Sequence, residues 1–219
     1  MLKYQCLVLD HDDTVVQSEK TLGFPYFRDF LSRIRPSVEI TFAEYVRGCH
    51  TMPFVDMCRA KWQFTDEELQ MEWAGWKEYL LTHIPAPCDG IERIIRRQKE
   101  EGGLVCVVSL SGAQSITRDY QAHFEMEPDA IYGWDLPKER QKPSTYPLED
   151  IMARYGLQPK DLLVVDDAKL AWHMSRGAGV EIAFAAWSKK DFPDIGEEMR
   201  DICNFSFESP EELEKFLFE

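Results

Sequence analysis

The sequence predicts an α/β protein: a doubly wound parallel sheet interrupted by one inserted helical domain. Three observations carry that prediction. Short apolar runs that end in polar residues recur at Cys6–Leu9, Leu104–Val108 and Leu162–Val165. Around them lie segments whose apolar residues repeat with helical periodicity, so strands and helices alternate. The exception runs from about residue 16 to residue 84, where strand signals vanish and helical ones follow one another.

Taken in order, Cys6-Leu7-Val8-Leu9 is a buried strand that stops at Asp10. Phe24, Phe27, Leu31 and Ile34 share one helical face, which Pro36 closes. A second helix is expected from Thr41 to Val46, then a loop from Arg47 to Pro53, then a helix from Phe54. Thr65 with Glu68 forms a capping box for a long helix striped by Leu69, Trp73, Trp76 and Leu80. Those tryptophans read as packing residues. Pro85 and Pro87 mark the return to strand and helix alternation.

Ile91, Ile94 and Ile95 then stripe a helix ending at Gly102-Gly103, ahead of the strand Leu104–Val108. Ser111 with Gln114 is expected to cap the following helix. Ala130–Tyr132 forms a short strand, and Lys142-Pro143 precedes a helix carrying Leu148, Ile151, Met152 and Tyr155 up to Gly156. The run at 162–165 delivers Asp166-Asp167. A helix closed by Gly177 and Gly179, a strand at 182–185 and a terminal helix at 211–217 complete the chain. The resulting division is a core of residues 1–15 and 85–219 and a helical domain of residues 16–84.

Composition narrows the function. The 219 residues are 44% hydrophobic and 12% aromatic, enough for a packed interior and unlike a disordered chain. The net charge of −14, from 39 acidic and 25 basic residues, argues against nucleic acid or an anionic membrane as the main partner. Six cysteines lack any C-x-x-C spacing, and Cys6 and Cys106 fall inside strand-like runs. They read as reduced thiols of a cytoplasmic protein. Asp10 interrupts the first apolar run, so no signal peptide is expected, and no apolar stretch reaches bilayer-spanning length.

The chemistry gathers at strand ends: Asp10, Asp12 and Thr14 after the first strand, Ser109 after the second, and Asp166-Asp167 after a later one. Open α/β sheets bind ligands at that edge. Asp10 and Asp12, two apart in extended chain, point to one side and repel each other, which calls for a divalent cation. A calcium loop of the EF-hand type is excluded, because Val15 and Thr21 stand where it needs glycine and glutamate. A nucleophile, an acid/base, a hydroxyl, the Lys142 ammonium and metal-binding carboxylates are what phosphoryl transfer requires. Each feature alone would be structural. Their order on successive βα junctions gives them meaning.

That order resembles the haloacid dehalogenase (HAD) superfamily across nearly the whole chain. Leu7-Val8-Leu9-Asp10-His11-Asp12-Asp13-Thr14 resembles its first motif, Val107-Val108-Ser109 the second, Lys142-Pro143 the third and Val164-Val165-Asp166-Asp167 the fourth. The helical insertion is similar to the C1 cap of subfamily I. The resemblance implies a Rossmann-like core and hydrolysis of a small phosphomonoester through an aspartyl phosphate on Asp10, with Asp12 as general acid/base. It implies Mg2+ held by the Asp10 carboxylate, the Asp12 backbone carbonyl and Asp167, with Asp166 the other candidate. Ser109 and the amides of Leu110 and Ser111 would bind phosphoryl oxygens, and Lys142 would neutralise charge. Arg47 and His50 fall where such caps place a substrate-specificity loop. His11 and Ala171 depart from the usual pattern, the latter lacking a carboxylate found in the longer fourth motif.

Rival readings are a phosphomutase of the same superfamily, a phospho-aspartate signalling receiver and a non-catalytic binding protein on this fold. A receiver places its acidic pair first and its acceptor later, the reverse of the order here. The resemblance assigns dehalogenase and phosphonatase chemistry to sites that lack an acid at the position of Asp12, which is present here.

Overall fold

The computed structural model describes residues 2–219, which fall into two units, residues 2–16 with 87–219, and Gln17–Ala86. The second unit carries α1 (Phe24–Ile34), α2 (Phe42–Thr51), α3 (Phe54–Trp62) and α4 (Asp66–Leu80), entered through a π-helical turn at Glu19–Gly23. Thr41 and Thr65 start α2 and α4 with capping boxes, each exchanging bonds with a glutamate three residues on. Phe27 is buried at the centre, its ring 4.9 Å from Phe54, 5.2 Å from Trp62 and 5.8 Å from Tyr45. Trp76 packs 5.2 Å from Tyr26, so the aromatic stripe serves packing. The Arg35 guanidinium grips both Glu68 oxygens at 2.6 and 2.9 Å, tying the end of α1 to the start of α4.

One expectation in this unit is corrected. The segment from Arg47 to Thr51 is helix, the last part of α2, and the break comes at Met52-Pro53. Gly48, which suggested a loop, is instead a packing glycine, since a Cβ there would collide with the Met57 sulfur of α3. The closer helix–helix contact offsets glycine's intrinsic cost of about 1 kcal/mol in a helix.

In the first unit, β1 (Cys6–Leu9), β2 (Leu104–Val108), β3 (Ala130–Tyr132), β4 (Leu162–Asp166), β5 (Glu181–Ala185) and β6 (Phe205–Phe207) form one parallel sheet in the order β3-β2-β1-β4-β5-β6. Helices α5 (Ile91–Glu100), α6 (Ala113–Phe124), α7 (Tyr146–Tyr155), α8 (Lys169–Ala178), α9 (Pro193–Ile202) and α10 (Pro210–Phe218) connect or follow these strands. Alternate residues face opposite layers. Leu7, Leu9, Val105 and Val107 pack with Ile94 of α5, Tyr120 of α6 and Leu213 of α10. Cys6, Val8, Cys106 and Val108 pack with Ile151 of α7 and Met174 of α8. Burial on both faces explains why these strands read as continuous apolar runs.

Two elements were not expected from the sequence. β6 is a three-residue edge strand, and α9 begins at a proline and contains Gly196. Gly177 lies inside α8 and does not close it. A Cβ there would approach Thr145 Cγ2 to 2.7 Å, and the helix ends at Gly179, whose φ is +70°. Among the described residues, no helix is long and apolar enough to cross a membrane.

Candidate active site

Strand register assembles the site. Leu9 of β1 pairs with Val107 of β2 on one side and Val165 of β4 on the other. Parallel strands leave the sheet in one direction, so Asp10, Ser109 and Asp166 arrive at one polar edge. The Asp10 amide extends the ladder to the Val165 carbonyl at 2.9 Å, and the Ser109 amide reaches the Tyr132 carbonyl at 3.0 Å.

Beyond Asp10 the chain folds into a tight loop. The amides of Val15 and Val16 both donate to the His11 carbonyl, at 2.9 and 3.0 Å, and the Asp13 amide donates to Val16 at 2.6 Å. Asp13 sits at φ +58°, a left-handed conformation that aspartate tolerates better than most residues. His11 does not join the neighbouring carboxylates. Its buried ring reaches to α6, with Nε2 3.0 Å from Asp119 Oδ2 and the ring stacked 6.2 Å from Tyr120. This departure from the motif is thus a tether between loop and helix.

Lys142 fixes the centre. Its ammonium donates to Asp10 Oδ1 and Asp166 Oδ2, both at 2.7 Å, with all three side chains buried. Asp166 spends its other oxygen on the Ala168 amide at 2.9 Å. Asp167 Oδ2 is held by Lys189 and, at 3.3 Å, by the Ser188 hydroxyl. Oδ2 of Asp10 and Oδ1 of Asp167 are therefore the carboxylate oxygens in this trio not engaged by these contacts. The Asp12 carboxylate accepts from Ser111 Oγ at 2.5 Å and Ser109 Oγ at 3.5 Å.

Ser111 accordingly does not cap α6. The Asp135 carboxylate accepts from the Ala113 amide at 2.6 Å, and Gly112 is the N-cap. The Ser111 carbonyl is pinned by the Trp134 amide at 2.9 Å, and its own amide donates to Ser109 Oγ at 3.1 Å. Leu110 lies half-buried between the two serines. The sequence pairing of Ser111 with Gln114 failed because a carboxylate from the next connection competes for the same amides.

Burial pushes the Asp10 carboxyl well above its usual range. Lys142 opposes that shift, and Asp166, Asp167 and Asp12 reinforce it. Burial also raises Asp166 against the pull of Lys142. For Lys142 burial acts downward, yet Asp10 and Asp166 outweigh it and leave the ammonium raised above its ordinary value. The pocket therefore carries more negative charge than its lysines balance.

Asp10, Asp166 and Asp167 each offer an oxygen within 4.8 Å of the others, all buried. All-oxygen donors and an excess of carboxylate charge fit a hard divalent cation. Such a cation would lower the carboxyl groups back into their ionised range.

The remaining expected residues lie in the helical unit. Arg47 is exposed on α2, its Nη1 3.5 Å from the Ala43 carbonyl, and His50 is buried on the same helix. Sequence reasoning missed Lys189. It follows an apolar strand beside Lys190, a pattern indistinguishable from a solvated turn until Asp13 and Asp167 fold against it.

Comparison with known proteins agrees with this architecture. A family model described as haloacid dehalogenase-like hydrolase matches residues 7–185. No curated protein matches the chain. Among solved structures, a CbbY variant from Rhodobacter sphaeroides in complex with xylulose-1,5-bisphosphate superposes with a TM-score of 0.76 at 15% identity, covering 96% of each chain. A predicted phosphoglycolate phosphatase from Haemophilus somnus gives 0.74 at 17% identity, covering 99% of each. A candidate β-phosphoglucomutase from Bacteroides vulgatus gives 0.76 at 16%, covering 97% of this chain and 87% of the other. At such identities these likenesses speak for the fold.

Proposed function

The chain belongs to the haloacid dehalogenase-like hydrolase family, and on that premise we propose that it is a magnesium-dependent phosphatase of a small phosphomonoester. One observation carries the proposal. Asp10 is gripped by a buried ammonium and belongs to a cluster of three buried carboxylates, whereas the Asp12 carboxylate accepts from two serine hydroxyls. Nucleophile and proton carrier are thus placed in different electrostatic surroundings, as two carboxylates with two roles require.

Asp10 attacks phosphorus and becomes an aspartyl phosphate, dividing the hydrolysis into two displacements. Asp12 gives a proton to the leaving oxygen and then takes one from the attacking water. Ser109 and the amides of Leu110 and Ser111 bind phosphoryl oxygens, and Lys142 holds Asp10 in line while offsetting charge. Magnesium would be held by the Asp10 carboxylate, the Asp12 carbonyl and Asp167. It would supply charge neutralisation at the phosphoryl oxygens. Asp166, with both oxygens already committed to Lys142 and Ala168, orients the lysine. The helical unit acts as a cap that selects substrate, with Arg47 and His50 of α2 its candidate substrate contacts.

A panel of small phosphate esters, assayed with magnesium and with chelator, tests the reading. Hydrolysis should require the metal and vanish with chelator, and Asp167→Ala should weaken metal binding while leaving the far-ultraviolet circular dichroism unchanged. Full activity in chelator would sink it. In the same panel, Arg47→Ala should alter relative rates among esters, whereas an equal fractional loss for every ester argues against a substrate contact.

The same residues serve a phosphomutase, and a structural neighbour bears that description. Release of inorganic phosphate at the rate of ester consumption separates the phosphatase from a mutase, which would return the phosphoryl group to sugar.

A further inference from the structure

The geometry points to Lys189 as a resident counter-cation of the metal site, one that holds Asp167 in place and weakens the site's grip on a divalent cation. The inference rests on the metal reading above and goes beyond it, since it concerns a residue outside the motifs. Lys189 follows the short turn Ala186–Ser188 at the exit of β5 and is buried, its side chain 3% exposed. A lysine is almost never buried to that degree unless it is paired. Its ammonium contacts Asp167 Oδ2 and lies 3.4 Å from Asp13 Oδ2. The segment around it is fixed to the same loop. Its amide donates to Ala186 at 3.1 Å, Trp187 Nε1 donates to the Thr14 carbonyl at 3.3 Å, and the Ser188 hydroxyl lies 3.3 Å from Asp167 Oδ2.

Two ammonium groups thus divide the acidic cluster. Lys142 joins Asp10 to Asp166, and Lys189 joins Asp167 to Asp13. Lys189 and the Ser188 hydroxyl both engage Asp167 Oδ2, which leaves Oδ1 as the oxygen offered to a cation. The same contact withdraws electron density from a ligand and places a positive charge one carboxylate away from the cation, where screening by water is weak. Both effects lower affinity for the cation while keeping the site folded when the cation is absent. Second-sphere partners that orient a ligand and raise its basicity typically strengthen metal binding by about 10–100-fold, and a cationic partner acts against the metal instead. A neutral partner in place of Lys189 removes the repulsion.

Isothermal titration of magnesium into the free protein, with thermal melts alongside, tests the assignment. Lys189→Met should bind magnesium at least about 5-fold more tightly than wild type, melt at lower temperature without metal, and gain more in melting temperature when metal is added. Lys189→Arg, which keeps the charge, should remain near wild type, and Lys190→Met, which removes the exposed neighbouring charge, should change affinity less than about 2-fold. Should Lys189→Met not fold, Lys189→Gln makes the same comparison with a polar side chain. Unchanged or weaker binding by the neutral variants overturns the counter-cation role while leaving the metal reading intact. An equal tightening in Lys190→Met reduces the effect to net charge and also overturns it. No magnesium binding by wild type overturns the metal reading and this inference together.

Discussion

Asp10→Asn should abolish turnover, with hydrolysis falling by at least about 10⁴-fold, and no phosphoryl group should be found on the protein after incubation with substrate. The amide keeps the shape of the carboxylate and can still face Lys142, so what is lost is the nucleophilic oxygen. The fold should not suffer. Asp10 is buried among like charges and its carboxyl is pushed well above the ordinary range, chiefly by burial. An ionised group held there opposes folding, and a neutral amide relieves that opposition. The variant should therefore melt at or above the wild-type temperature while being inactive, the trade expected of a catalytic residue. Combined loss of activity and of melting temperature would recast Asp10 as a structural partner of Lys142. Retained turnover would remove it from the chemistry altogether.

The residues that made the fold legible are those whose role is local. Cys6–Leu9 reads as a buried strand because both faces of β1 are covered, and the alternation of Leu7 and Leu9 with Cys6 and Val8 sends each pair to its own layer. The capping box at Thr65 was readable because its partner Glu68 stands three residues away. Failures have the opposite character. The helix through Gly48 depends on Met57 of a neighbouring element, and the three residues of β6 form a strand only because β5 offers an edge. The Ser111 cap was displaced by Asp135, more than twenty residues away.

The site divides in the same way. Its motif residues stand at strand ends, and register sets Asp10 level with Asp166 and places Ser109 one residue further along β2. Sequence left open which of Asp166 and Asp167 would face a cation. The hydrogen bonds give a reason to prefer Asp167, since Lys142 and the Ala168 amide occupy both oxygens of Asp166. Lys189 had no local signature, because its partners come from the first loop and the fourth strand.

Asp12→Ala separates the two chemical steps. Its carboxylate is held by Ser111 Oγ at 2.5 Å and Ser109 Oγ at 3.5 Å, while Lys142 donates to Asp10 and Asp166. Removing it therefore spares the Asp10, Asp166 and Lys142 contacts, and a backbone carbonyl offered to the metal survives the substitution. With an alkyl phosphate both steps need proton transfer, and turnover should fall by ~10²–10⁴-fold. With a nitrophenyl phosphate the leaving group departs without a proton, so attack by Asp10 proceeds while the attacking water lacks its base. Phosphoenzyme should then accumulate. It should appear as an intact-mass increase of one phosphoryl group, localised to Asp10 by peptide mapping after borohydride reduction, and be absent from the Asp10→Asn protein. A steady-state loss equal for the two esters, with no accumulation, would mean that Asp12 acts on binding or loop geometry. Phosphate on Ser109 or on a histidine would overturn the mechanism itself, because the nucleophile would then not be Asp10.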